Sequence, residues 1–139
     1  MGLSGEDRRA IEELFETIEH PVTVQLDLGP SESSVTLLAG GGRELDPAET
    51  TRALLEEVCA LSPLVELRVA EHGERGPFPR TRVGDRLAYL GTPWGYELTS
   101  LVHGIAAAGR ETSSLEPPSL EALARIDRDV ALEVFVAPT

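Results

Sequence analysis

Gly91-Thr92-Pro93-Trp94-Gly95-Tyr96-Glu97-Leu98-Thr99-Ser100-Leu101-Val102 is the stretch whose reading decides the fold. Leu87 to Leu90 reads as a short strand, and Thr92-Pro93 reads as a helix start. Behind it Leu98, Leu101, Val102 and Ile105 form an apolar stripe at helical spacing, so the spacing predicts a helix from about Pro93 to Ala108, ended by Gly109. Upstream, Arg80 to Val83, Gly84-Asp85 and Leu87 to Leu90 read as a hairpin whose turn pair tolerates positive φ.

Further outward the pattern continues. Ser4 and Asp7 form a capping-box start for a helix over about 5–19, with Ile11, Leu14, Phe15 and Ile18 on one face. His20-Pro21 stops it. Val22, Val24, Leu26 and Leu28 alternate with Thr23, Gln25 and Asp27, which predicts a strand with one buried face. Val35 to Ala39 is a second short apolar run, so a hairpin is expected there, and Gly40-Gly41-Gly42 is a flexible break. Asp46-Pro47-Ala48-Glu49 is a strong helix start: Asp46 caps, Pro47 takes the first position and Glu49 closes the box. Leu54, Leu55, Val58 and Leu61 form its buried stripe, Ser62-Pro63 ends it, and Val65, Leu67 and Val69 alternate as the next strand. His72 to Pro79 is loop. Residues 111–118 are a polar, proline-bearing linker. Ser119 then caps a short helix with Leu120, Leu123 and Ile126, and Val130 to Val136 follows as an apolar strand.

The order βαβ followed by ββα is the thioredoxin pattern. Residues 91–110, and Arg52-Ala53-Leu54-Leu55-Glu56-Glu57-Val58-Cys59-Ala60-Leu61-Ser62, resemble the N-terminal region of the F component of alkyl hydroperoxide reductase and the related tandem protein disulfide oxidoreductases. That resemblance implies an α/β thioredoxin-like domain over 1–110, a mixed sheet flanked by helices, with an extra N-terminal helix and hairpin. It makes residues 119–139 the opening helix and strand of a second unit. In such proteins a Cys-x-x-Cys pair does the chemistry, at the place that Asp46, Pro47, Ala48 and Glu49 occupy here. The family's first unit is known for lacking its cysteines, and this chain has none there. The resemblance also makes Pro79 the cis-proline of the peptide groove, with Pro77 as the alternative by position.

The single cysteine, Cys59, cannot form an internal disulfide or a dithiol relay. It lies well inside a helix and is expected to be a packed, inert thiol, its pKa raised by the neighbouring Glu56 and Glu57. Trp94 and Tyr96 are candidates for an aromatic docking patch, against the plainer reading of a packed rim. His20, His72 and His103 form no metal-spaced pair, so no metal and no cofactor is expected. Gly40 to Gly42 lacks the Lys-Ser/Thr of a phosphate loop.

The chain of 139 residues is 41% hydrophobic and carries a net charge of -12, its twelve basic residues all arginine. A surface this acidic repels nucleic-acid phosphates and anionic lipids, so neither is an expected partner. No stretch reads as a signal peptide or a membrane helix, which makes a cytoplasmic location the expectation. The expected partner is a protein: a member of a thiol redox relay, or a second thioredoxin-like unit. An apolar strand at 130–136 with no unit to join seeks an edge, so a homodimer through 130–136 is also expected.

Overall fold

The computed structural model describes residues 2–30 and 46–137. Its centre is β1 (Val22–Leu28), which pairs in parallel with β2 (Val65–Glu71) and antiparallel with β3 (Arg80–Val83). β4 (Leu87–Leu90) pairs antiparallel with β3, giving the sheet order β2-β1-β3-β4. The helices are α1 (Gly5–Phe15), α2 (Pro47–Cys59), α3 (Tyr96–Ala108) and α4 (Pro117–Ala124). The α2 helix connects the parallel pair β1 and β2, and the ββα run closes the order expected from the sequence. The hairpin expected at 35–39 and the glycine break at 40–42 lie outside the described residues.

Alternation decides which face of the sheet is apolar. Val22, Val24, Leu26, Leu28, Val65 and Val83 share one face by register and are buried. They form one core with Ile11, Phe15 and Ile18, with Leu54, Leu55 and Val58 of α2, and with Leu101, Val102, Ile105 and Ala106 of α3. Thus α1, α2 and α3 all contribute to the core on this face. The opposite face carries Thr23, Gln25 and Asp27 on β1, Glu66 and Arg68 on β2, and Arg80 and Arg82 on β3.

The element ends differ from the sequence expectation for local reasons. The α1 helix stops at Phe15, not near Glu19, because the next bonds tighten to i→i+3. The Thr17 N–H donates to the Leu14 carbonyl at 3.2 Å and the Ile18 N–H to that of Phe15 at 3.1 Å, while the Thr17 hydroxyl also donates to the Leu14 carbonyl at 2.7 Å. Ile18 stays buried through this turn. The α3 helix begins at Tyr96, not Pro93, because Gly95 has φ +58, outside any right-handed helix. The α4 helix begins at Pro117, so Ser119 lies inside it and is not its cap. Pro117 and Pro118 fill the first turn, where no N–H is needed. Residues 109–116 join α3 to α4. Val130 to Val136 forms no strand: it has no ladder with any described residue.

Two glycines are required by shape. Gly84, at φ +56, opens the β3–β4 turn, and Asp85 does not share its positive φ. A Cβ on Gly109 would lie 2.6 Å from Ile18 Cγ2 and 2.9 Å from Val22 Cγ2, so the α3 C-terminus closes onto the base of β1 only without a side chain.

Thr81 is fully buried opposite Leu26, and its hydroxyl has no hydrogen-bond partner among the described residues. A buried hydroxyl without a partner is unfavourable. Thr81→Val keeps the shape and removes the orphan, so chemical denaturation should show a gain of about 1 kcal/mol. A loss would mean that the hydroxyl has a partner in solution.

Candidate functional site

The site is built where the α2 N-terminus meets the β3 entrance and the turn after β4. Asp46 caps α2, its carboxylate accepting from the Ala48 N–H at 2.9 Å; the capping bond is to Ala48 and not the reciprocal box with Glu49. Pro47 takes the first helical position. One turn on, the buried Thr51 hydroxyl donates to the Pro47 carbonyl at 2.7 Å. Having given its one proton, it accepts from Thr92, whose hydroxyl lies 2.8 Å away. The next residue back, Gly91, donates its N–H to the Pro79 carbonyl at 2.8 Å. A run of hydrogen bonds therefore joins the helix start to Pro79. The Phe78-Pro79 bond is cis, as the resemblance implied.

Exposure separates the candidate residues. Pro79 is buried, so its ring does not line an open groove. Trp94 is 39% exposed and Tyr96 88% exposed, one on each side of Gly95. Asp46, Pro47 and Glu49 are exposed and Ala48 is half-buried, so the α2 start faces water. The α2 N-terminus thus presents a carboxylate cap where a redox version of the fold would present a thiolate. The positive helix end that would depress a thiol pKa here holds an acid instead.

Cys59 lies at the other end of the same helix and is 6% exposed. Burial pushes its thiol up to about 12. The sequence pointed to Glu56 and Glu57 as the cause; desolvation is the cause in the structure. The thiol should resist dithionitrobenzoate at pH 8 while the chain is folded and react fully in denaturant. Stoichiometric labelling within seconds under native conditions would contradict this burial.

The most concentrated charge in the described structure is one that sequence reasoning missed. Alternation puts Asp27 on the polar side of β1, and that placement is right, but the side chain is fully buried. Its Oδ1 accepts from His72 Nε2 at 3.0 Å and from Gln25 Nε2 at 2.9 Å. Its Oδ2 accepts from Arg80 Nε at 3.2 Å and Arg82 Nε at 2.9 Å. Burial alone would raise this carboxyl. The hydrogen bonds from His72, Gln25 and Arg82, with the charge of Arg82, outweigh it and hold the group well below the ordinary carboxylate range. An ionised Asp27 only accepts, so His72 Nε2 carries the proton. The His72 and Phe78 rings stack at 5.1 Å, and Arg80 lies over Phe78 at 5.7 Å. Asp27 therefore anchors both ends of the loop that delivers Pro79. The only sequence signal was an acid on β1 with two arginines at alternating positions 80 and 82.

Elsewhere, ligand atoms of Glu19, His20 and Glu111 lie within 4.8 Å of one another, all exposed. His20 Nε2 is 2.9 Å from Glu111 Oε1. The sequence showed no such grouping, because Glu111 is distant along the chain. A single solvated imidazole paired with a carboxylate accounts for this contact without an ion. No helix among the described residues is long and apolar enough to cross a membrane.

No family model matches the sequence, and no curated protein matches it. Solved structures do. Alkylhydroperoxide reductase AhpF from Enterococcus faecalis superposes with a TM-score of 0.71 and 17% identity, over 88% of this chain and 60% of that one. The NTD_N/C domain of the same protein gives 0.69 and 17%, over 86% of this chain and 58% of that one. A protein disulfide oxidoreductase from Aeropyrum pernix K1 gives 0.68 and 23%, over 88% of this chain and 55% of that one. The chain thus spans less than two thirds of each of these structures, and at these identities the likeness is one of fold. With its mixed sheet, cis-proline and helix order, the chain has the thioredoxin-like α/β architecture that these redox proteins share.

Proposed function

We propose that this chain is a non-catalytic thioredoxin-like scaffold or docking unit in a thiol–disulfide relay of the alkyl hydroperoxide reductase type. One observation carries the reading: the α2 N-terminus is capped by Asp46, and the only thiol, Cys59, is buried at the far end of that helix. Such a unit holds a neighbouring dithiol unit and presents a face to its protein partner. With Pro79 buried, the presented groups are Trp94 and Tyr96.

Two measurements test it together. The chain should not accelerate reduction of insulin by dithiothreitol, and turnover of a disulfide by these residues unaided would overturn the proposal. Its affinity for a dithiol thioredoxin-like unit or a thiol peroxidase, read by calorimetry, should fall about tenfold or more when Trp94 and Tyr96 are both changed to Ala. An unchanged affinity would remove the docking role from this patch.

The longer solved neighbours favour a second reading, in which this chain is part of a dithiol oxidoreductase whose Cys-x-x-Cys follows Thr139. The reading frame past Thr139 distinguishes the two: a Cys-x-x-Cys next in frame makes the chain part of an enzyme. A stand-alone peptide-binding protein is the remaining alternative, for which the Trp94 and Tyr96 variants would release a peptide and not a redox partner.

A further inference from the structure

The apolar surface of this chain is unevenly placed. Leu115, Leu120, Leu123, Ile126, Val130, Leu132, Val134, Phe135 and Val136 are all exposed, Leu132 by 87% and Phe135 by 91%. Every described residue from 111 to 137 is exposed, so this arm leaves most of its apolar surface uncovered by the described body of its own chain. An isolated helix of eight residues and an unpaired apolar segment are not stable alone in water.

The body offers an edge of matching length. Among the described residues β2 is an edge strand of seven residues, as long as Val130–Val136. Beside it an open groove of about 410 Å³ is lined by Cys59, Ala60, Val65, Leu67 and Val69, with Glu56 at its rim. Along β2 burial decays from Val65 at 7% to Val69 at 39%, so the apolar face of this strand is only partly covered by α2. In the arm, Val130, Leu132, Val134 and Val136 alternate with Ala131, Glu133 and Phe135, which gives one wholly apolar face on a strand.

We infer that two copies of this chain exchange these arms: residues 130–136 of each add to the β2 edge of the other, and Leu120, Leu123 and Ile126 of α4 close over the groove beside Cys59. A second copy supplies both receptor and arm, so the contact is reciprocal and closes with two-fold symmetry. The area suffices. Nine half- to nine-tenths-exposed apolar side chains present on the order of 500 Å² per arm, at about 60–120 Å² for each side chain fully buried. Two arms and the surfaces they cover reach about 2,000 Å², the range of stable interfaces. The β2 edge loses its unpaired backbone groups in the same step. The inference concerns these 139 residues and rests on their fold, not on the relay proposed above; in a longer chain a following thioredoxin-like unit would take the arm itself.

Light scattering on the full chain at a concentration of about 100 µM, well above the dissociation constants usual for interfaces of this size, is the test. It should give twice the 14.9 kDa chain mass. Leu132→Asp in the arm and Val69→Arg on the receptor strand should each shift it to the monomer while the body still unfolds in one cooperative urea transition. Hydrogen exchange of residues 65–71 should be at least about tenfold slower in the dimer than in either variant. A monomeric wild type overturns the inference, and so does a dimer that survives Val69→Arg with unaltered exchange in β2. Should Val69→Arg unfold the chain, Val69→Thr at the same position, scored by the dimer dissociation constant, decides instead: a weakening of about fivefold or more supports arm exchange and none refutes it.

Discussion

Asp27→Asn should destabilise the chain by about 3 kcal/mol, a fall on the order of 10 °C in Tm. The carboxylate is fully buried and takes hydrogen bonds from His72, Gln25, Arg80 and Arg82. The Asn side chain keeps the volume but replaces one acceptor oxygen with an N–H₂ that faces donors. Breaking a buried charge pair generally costs about 3–5 kcal/mol. The Arg80 and Arg82 side chains are 32% and 42% exposed and can regain water, so the low end applies.

The pH dependence follows from the same geometry. The folded carboxyl lies below its ordinary value of 3.8, so its contribution is complete above about that pH and is lost as the pH falls towards the depressed folded value. Wild-type stability should therefore drop below about pH 4, and the gap between wild type and Asp27→Asn should narrow there. Urea titrations from neutral pH down to about pH 2 check both statements. Parallel curves for the two proteins, or a variant within about 0.5 kcal/mol of wild type at neutral pH, would show that the arginines and His72 do not depend on Asp27.

Leu101→Ala should cost about 3 kcal/mol or more. Leu101 is fully buried in α3, within the core that α1, α2 and the apolar face of the sheet share. Truncating a buried leucine loses its transfer free energy and leaves a cavity, together about 2–5 kcal/mol. A domain of this size has about 5–15 kcal/mol in all, so a large share of the folded state's margin goes with one side chain. Tyr96→Ala, at the start of the same helix, is the control. At 88% exposure it should move stability by no more than about 0.5 kcal/mol. Equal effects at the two positions would mean that α3 does not present this face to the sheet.

Where a feature depends on neighbours along the chain, residues 91–105 and 22–28 already state it. The stripe Leu98, Leu101, Val102 and Ile105 follows the helical period of about 3.6, and Val22 to Leu28 the strand period of about 2; both periods are set by backbone geometry alone. The Ser4–Asp7 capping box, the Asp46 cap and the buried Cys59 are of the same kind: short-range sequence signals that the structure repeats. Helix ends were less legible, because Thr17 and Gly95 redirect the bonding of the last and first turns in ways that composition does not announce.

By itself, then, the amino-acid order determined β1 to β4 and α1 to α4, their sequence along the chain, the apolar side of the sheet and the absence of a Cys-x-x-Cys, though not the strand expected at 130–136. Only the tertiary structure decided that Asp27 is buried, since its partners His72, Arg80 and Arg82 stand 45, 53 and 55 residues away and meet it through the β1–β3 register and the loop before it. The structure likewise decided that Pro79 is enclosed while Trp94 and Tyr96 face water, and that the apolar 130–136 segment joins no described strand of its own chain. The physical reason is the same in each case. Periodicity is a property of the local backbone, whereas burial of a charge or pairing of a strand depends on which distant surfaces arrive beside it.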